Sequence, residues 1–111
     1  MRRARPLLGT IVLSNSYRHP PIMAKMAASL QAFSRNRLVL GYGAGWLESE
    51  YRAYGFDYPS PATRIRQLEE AVQVIRALWT EAPASFAGRY YRIEGAYCEP
   101  RPSPPPPIMI G

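Results

Sequence analysis

Gly41-Tyr42-Gly43-Ala44-Gly45-Trp46 is the stretch of this 111-residue chain best suited by residue type to meet a ligand. Glycine has no Cβ, so a flat ring can come close to the backbone there. The spacing is not a dinucleotide fingerprint, because Gly-x-Gly-x-x-Gly needs a glycine where Trp46 stands. A phosphate loop is excluded too, since no Lys-Ser or Lys-Thr follows. A tight turn without a ligand is an equal reading of these residues alone. Ser14 and Asn15 are small polar groups that can hydrogen-bond a ring edge, or form a plain Asx turn. His19 is the only histidine and precedes a helix start, where capping or packing competes with a substrate-side role. Trp46 either lines the substrate side of a ring or belongs to the core. Glu48, Glu50 and Tyr54 either face a cleft or open a solvated helix. Cys98 has no second cysteine and no nearby histidine, which argues against nucleophile and metal roles. No metal-ligand cluster is present in the sequence.

Elements must position these residues. Leu7 to Leu13 is apolar without alternation, the pattern of a strand covered on both faces, and Ser14-Asn15-Ser16 ends it. Pro20 and Pro21 open a helix, where missing N–H groups cost nothing. Ile22, Met26, Leu30 and Phe33 form its apolar stripe, and Asn36 is placed to end it in a left-handed conformation. Leu38-Val39-Leu40 is a second buried strand leading into the glycine run. Ser60 and Pro61 cap a long helix with the stripe Ile65, Leu68, Val72, Ile75 and Leu78. Phe86 to Ile93 and Ala96-Tyr97-Cys98 read as short strands around glycine turns. Pro100, Pro102 and Pro104 to Pro107 make a stiff extended connector, and Ile108-Met109-Ile110 reads as a third core strand. The order β-α-β-α-ribbon-β predicts an α/β fold with a parallel sheet.

Composition narrows the class. The chain is 47% hydrophobic and 20% charged, an ordinary globular balance within one domain's length. Its net charge is +6, and seven cations precede the first acid, Glu48. Such asymmetry suits a phosphate-bearing cofactor or nucleic acid. The cations lie on several elements rather than one stripe, so nucleic acid is the weaker reading, beside a non-catalytic interaction module. The basic Met1–Arg5 and the apolar Leu7–Leu13 faintly imitate a signal peptide, but no small-x-small cleavage site follows. No run approaches the ~20 apolar residues of a membrane helix. One cysteine and no targeting segment point to the cytoplasm.

Three segments, in order, resemble the luciferase-like monooxygenase family. They are Tyr17-Arg18-His19-Pro20-Pro21 with Ala24 to Leu30; Arg37 to Trp46 continuing through Glu48, Glu50 and Tyr54-Gly55; and Phe86 to Tyr91 followed by Glu99-Pro100-Arg101-Pro102 and Pro107 to Gly111. The resemblance implies a fragment of a (β/α)8 TIM barrel covering about strands three to five. Residues 1–111 then form one partial barrel domain, in which 83–107 are an insertion ribbon and a Pro-rich connector. Members of the family are oxidoreductases using FMN or the deazaflavin coenzyme F-420. The implied cofactor contacts are Ser14, Asn15, Gly43, Ala44 and Gly45, with His19 and Trp46 toward a small-molecule substrate.

In that family the end of the first of these strands carries a bulge with a non-prolyl cis peptide under the central ring. Some deazaflavin-dependent members have a carboxylic acid where Trp46 stands, so Trp46 argues against that proton donor here. The resemblance also implies a homo-oligomer for a full-length protein. A 111-residue chain lacks most of a barrel and is expected to be inactive alone, with open sheet edges that invite association.

Overall fold

The computed structural model describes residues 6–10 and 12–111. Arg2, Arg3 and Arg5, and Ile11 within the first apolar run, lie outside the described residues. The chain runs β1 (Leu8–Gly9), β2 (Leu13–Ser14), a 3-10 turn (Asn15–Tyr17), α1 (Pro20–Phe33), β3 (Leu38–Gly43) and α2 (Glu48–Ala53). It continues through α3 (Pro61–Thr80), β4 (Ala84–Ala87), β5 (Arg92–Ala96) and β6 (Ile108–Ile110). The segment 48–58, expected as a connection, therefore contains a short helix. No described helix is long and apolar enough to cross a membrane.

β3 is the central strand. β1, β2 and β6 all pair with it in parallel. Its residues are buried except for the half-buried Val39, as a strand with partners on both edges requires. The expectation of burial on both faces fails for the other two runs. Leu7, Leu8 and Val12 are exposed, as are Met109 and Ile110, because these strands flank β3 without further neighbours.

The first strand slips register against β3. Gly9 pairs with Val39 and Leu13 with Tyr42, so one side carries an extra residue. This is a β-bulge. Thr10 repairs the ladder there: its Oγ1 donates to the Gly41 carbonyl (2.7 Å) and accepts the Gly41 N–H (2.8 Å). A non-prolyl cis peptide is absent from Leu13–Asn15. The cis bonds among the described residues precede Pro83, Pro100 and Pro104.

α1 begins at the two prolines as predicted, and Asn36 after its end has φ 64°. Its buried face is not the predicted one. Met23, Ala24, Ala27, Ala28 and Gln31 point inward, whereas Ile22, Met26, Leu30 and Phe33 are exposed. The alanines win because they let the helix approach its neighbours closely. Trp79 of α3 fills the contact, its indole N–H donating to the Ala24 carbonyl at 3.0 Å. Gln31, though polar, is fully partnered: its amide donates to the Pro104 carbonyl (2.9 Å) and accepts the Leu38 N–H (3.0 Å). That residue ties α1 to the start of β3 and to the proline connector.

α3 matches its predicted span within a residue, with the Ser60 hydroxyl accepting the Thr63 N–H. Leu68, Ile75 and Leu78 are buried as expected; Ile65 is exposed, and Ala71, Val74 and Trp79 complete the inner face.

β4 and β5 form an antiparallel hairpin that divides the predicted Phe86–Ile93 strand at a turn, and Cys98 lies beyond β5. Glu70 of α3 holds that turn, accepting the N–H groups of Arg89, Tyr90 and Tyr91 at 3.1, 2.9 and 3.2 Å. Desolvation pushes the Glu70 carboxyl up, but these N–H donors and Arg89 outweigh it and hold the group below its ordinary value. A depressed folded value means that the contribution to stability is present above the unfolded carboxyl range. It is lost as pH falls through the folded value. We expect faster amide exchange at Arg89–Tyr91 on acidification below about pH 4.5, and the same loosening at neutral pH in Glu70→Gln. Unchanged exchange in both would remove Glu70 from this role.

Candidate active-site cleft

The loops after the parallel strands meet at one end of the sheet. Ser14 follows from β2, Gly43 and Trp46 from β3, Glu50 and Tyr51 from α2, and Gly111 comes after β6. Together they line a cleft of about 690 Å³, within the range of small-molecule sites. Carboxyl ends of parallel strands are where barrel enzymes assemble such sites.

Glycine is required at this wall. Gly45 has φ +86°, and a Cβ there would strike the Tyr51 hydroxyl and stand 3.0 Å from Ser14 Oγ. A Cβ on Gly43 would come within 2.7 Å of the Gly111 carbonyl. Tyr51 itself is 1% exposed and pins the loops together. Its hydroxyl lies 2.6 Å from Ser16 Oγ, and 3.2 Å from both Ser14 Oγ and the Ala44 carbonyl. The single phenol proton serves Ser16 or that carbonyl, and a serine hydroxyl can donate in return.

Asn15 lies beneath the cleft rather than in its lining. Its Oδ1 accepts from the Tyr42 hydroxyl (2.8 Å), and its amide nitrogen donates to the Tyr91 hydroxyl (3.3 Å). Burial raises the pKa of both tyrosines, so they remain neutral phenols. This network connects the end of the first strand to β3 and to the hairpin that Glu70 holds.

On the other wall the Tyr17 hydroxyl donates to Glu50 Oε1 at 2.7 Å. Desolvation first, and then the Glu50 carboxylate, push the Tyr17 phenol up to about 12. Tyr17 also packs against Tyr51 and Phe56, each at 5.0 Å between ring centroids. Arg18 brings a cation to the lining.

The structure thus brings Ser14, Gly43, Ala44, Gly45 and Trp46 to one cleft. Trp46 is 78% exposed, so it belongs to the cleft wall and not to the core. His19 is not in that lining. It occupies the N-cap position of α1 without a side-chain cap bond, exposed, with its ring 6.0 Å from that of Tyr91. Glu48 is exposed and pairs with Arg52 at 3.1 Å, whereas Glu50 faces the cleft. Tyr54 is exposed and packs edge-on against Tyr17. Cys98 is buried with its thiol pKa raised by that burial, the opposite of an activated nucleophile. No group of side chains suited to a metal ion occurs among the described residues.

Tyr51, Tyr42, Tyr91 and Arg18 were not singled out as site residues from the sequence. Tyr42 did carry a signal: a tyrosine inside a buried strand needs a partner for its hydroxyl. Tyr51 carried none, because only the packing of α2 against the Gly45 turn brings it there.

Comparison with known proteins agrees with this architecture. The family model described as luciferase-like monooxygenase matches residues 5–111. The F420-dependent glucose-6-phosphate dehydrogenase of Nakamurella multipartita is 39% identical over 111 residues, 99% of this chain and 32% of that protein. The chain therefore spans about a third of the length of the curated relatives it matches. Among solved structures, an F420-dependent secondary alcohol dehydrogenase in complex with an F420–acetone adduct superposes with a TM-score of 0.84 at 27% identity. The match covers 94% of this chain and 32% of that one. The monooxygenase RslO1 from Streptomyces bottropensis gives 0.82, also at 27% identity, over 94% of this chain and 31% of its own. With the matched model running over nearly every residue, the chain belongs to the luciferase-like monooxygenase family.

Proposed function

We propose that this chain supplies one wall of the cofactor cleft of an F420-dependent oxidoreductase acting on a small molecule, with FMN as the alternative cofactor. The observation that carries this reading is the close-packed glycine turn Gly43–Gly45, where any Cβ would fill the face turned to the cleft. A planar ring fits against such a wall because backbone alone bounds it. The bound cofactor would supply the redox chemistry, and the protein its orientation and shielding. Ser14 and the Gly43–Gly45 backbone would lie along the ring, with Tyr51 fixing their separation and Asn15 holding the bulged strand from beneath. Trp46 would cover the substrate side at the mouth, and Glu50 with Tyr17 would face the same space. His19 is a weaker substrate-side candidate, given its place outside the lining.

The F420 preference rests on the dehydrogenase relatives, and the FMN alternative on the monooxygenase description of the family. In this reading the chain corresponds to about strands three to five of the barrel, and residues 83–107 to an insertion ribbon and connector. A full-length protein would be a cytoplasmic homo-oligomer.

A segment exchange tests the assignment. The matching third of the Nakamurella multipartita dehydrogenase is replaced by residues 5–111 of this chain, and the folded product is titrated with F420 and with FMN. Saturable F420 binding with weaker FMN binding is expected. The reverse preference would assign a flavin enzyme, and binding of neither by a folded chimera would remove the cofactor reading.

A further inference from the structure

The apolar residues of α1 form two faces, and only one is covered. The alanine-rich face packs inward, while Ile22, Met26, Leu30 and Phe33 are 53, 45, 50 and 89% exposed. A helix with large apolar residues opposite its buried side is built to be covered twice. Four such side chains in line make a patch on the order of a few hundred Å², the size that marks an interaction surface on a monomer. We propose that this outer face of α1 is a two-fold seam that joins two copies of the chain.

The spacing makes the face self-complementary. An antiparallel two-fold passing near residue 28 sets Met26 against the partner's Leu30, and Ile22 against the partner's Phe33, so both pairs share one centre. A closed dimer needs this property, since the same patch must meet itself. Doubled, and widened by Pro21, Ser29, Ala32 and the stem of Lys25 alongside, the contact reaches about 1,000–1,200 Å², the lower bound for a stable interface. The flanks are cationic: Arg18 precedes α1, Lys25 lies on it, Arg35 and Arg37 follow it, and no acid occurs before Glu48. A seam between copies therefore sets like charges near one another. Salt screens that repulsion and leaves the apolar contact intact, so association tightens as ionic strength rises.

Sedimentation of the intact chain over a concentration series at low and high salt tests the proposal. Leu30→Glu and Phe33→Glu are the seam variants, and Met109→Lys is a control on the exposed β6. Both seam positions are already solvent-facing, so circular dichroism is expected to match the parent. A monomer–dimer equilibrium strengthened by salt is expected, weakened about tenfold or more by each seam variant and unaffected by the control. A chain that stays monomeric at hundreds of micromolar overturns the proposal. So does association broken by Met109→Lys but not by Leu30→Glu, which would assign it to strand edges. Association that weakens with salt overturns it as well, and points to an acidic partner surface.

Discussion

Purified as the 111-residue polypeptide, the chain is expected to show no oxidoreductase turnover with F420 or FMN, and to bind either cofactor weakly or not at all. A barrel site is assembled from loops after many strands, and its phosphate grip usually lies after strands seven and eight. The described cleft draws on the ends of β2, β3 and β6, on α2, and on the turn after β2. Its glycine wall bounds one side of a ring. The relatives that turn over substrate are about three times as long as the region they share with this chain. Fluorescence titration with each cofactor and a turnover assay with reduced cofactor measure the effect. Saturation at micromolar concentration would show that the Gly43–Gly45 wall and its neighbours hold the ring unaided, and would overturn this expectation.

Gly41→Ala is expected to cause the largest loss of stability among single-methyl additions. The strand β3 is at its most crowded there, because the bulged first strand brings the Thr10 carbonyl to the place a Cβ would occupy. The obstacle is backbone on both sides and cannot turn aside as a side-chain tip would. Relief requires the bulge to open, which breaks both Thr10–Gly41 hydrogen bonds in a half-buried place. Overpacking of this kind costs about 1–3 kcal/mol, and loss of the paired bonds adds to it. A fall in Tm of about 10 °C or more is expected by calorimetry in a domain of this size. Gly9→Ala is the matched control: its Cβ would meet only the Val39 carbonyl, at an ordinary 3.9 Å, and little change is expected. Equal effects of the two substitutions would show that the Thr10 approach is not the limiting contact.

The order of elements was legible in the sequence because its signals are local. Pro20-Pro21, Ser60-Pro61 and Asn36 act through neighbouring backbone atoms, and α1 and α3 begin where these residues place them. β3 was legible for a related reason: a central strand buries both faces, and an unbroken apolar run records that directly. The glycine turn was legible as a place where backbone must be bare. Its cause was not, since the atoms that exclude a Cβ from Gly41 and Gly45 belong to Thr10 and Tyr51.

Tertiary structure decided which face of α1 turns inward. Periodicity marked Ile22, Met26, Leu30 and Phe33 as an apolar stripe, but stripes carry no direction. The close approach of Trp79 and β3 selected the alanines instead. It also decided that Glu50 faces the cleft while Glu48 faces solvent, and that Tyr51 joins three loops through one hydroxyl. Such roles depend on contacts between residues 31 to 37 positions apart, and no local pattern encodes which distant partner the chain brings near.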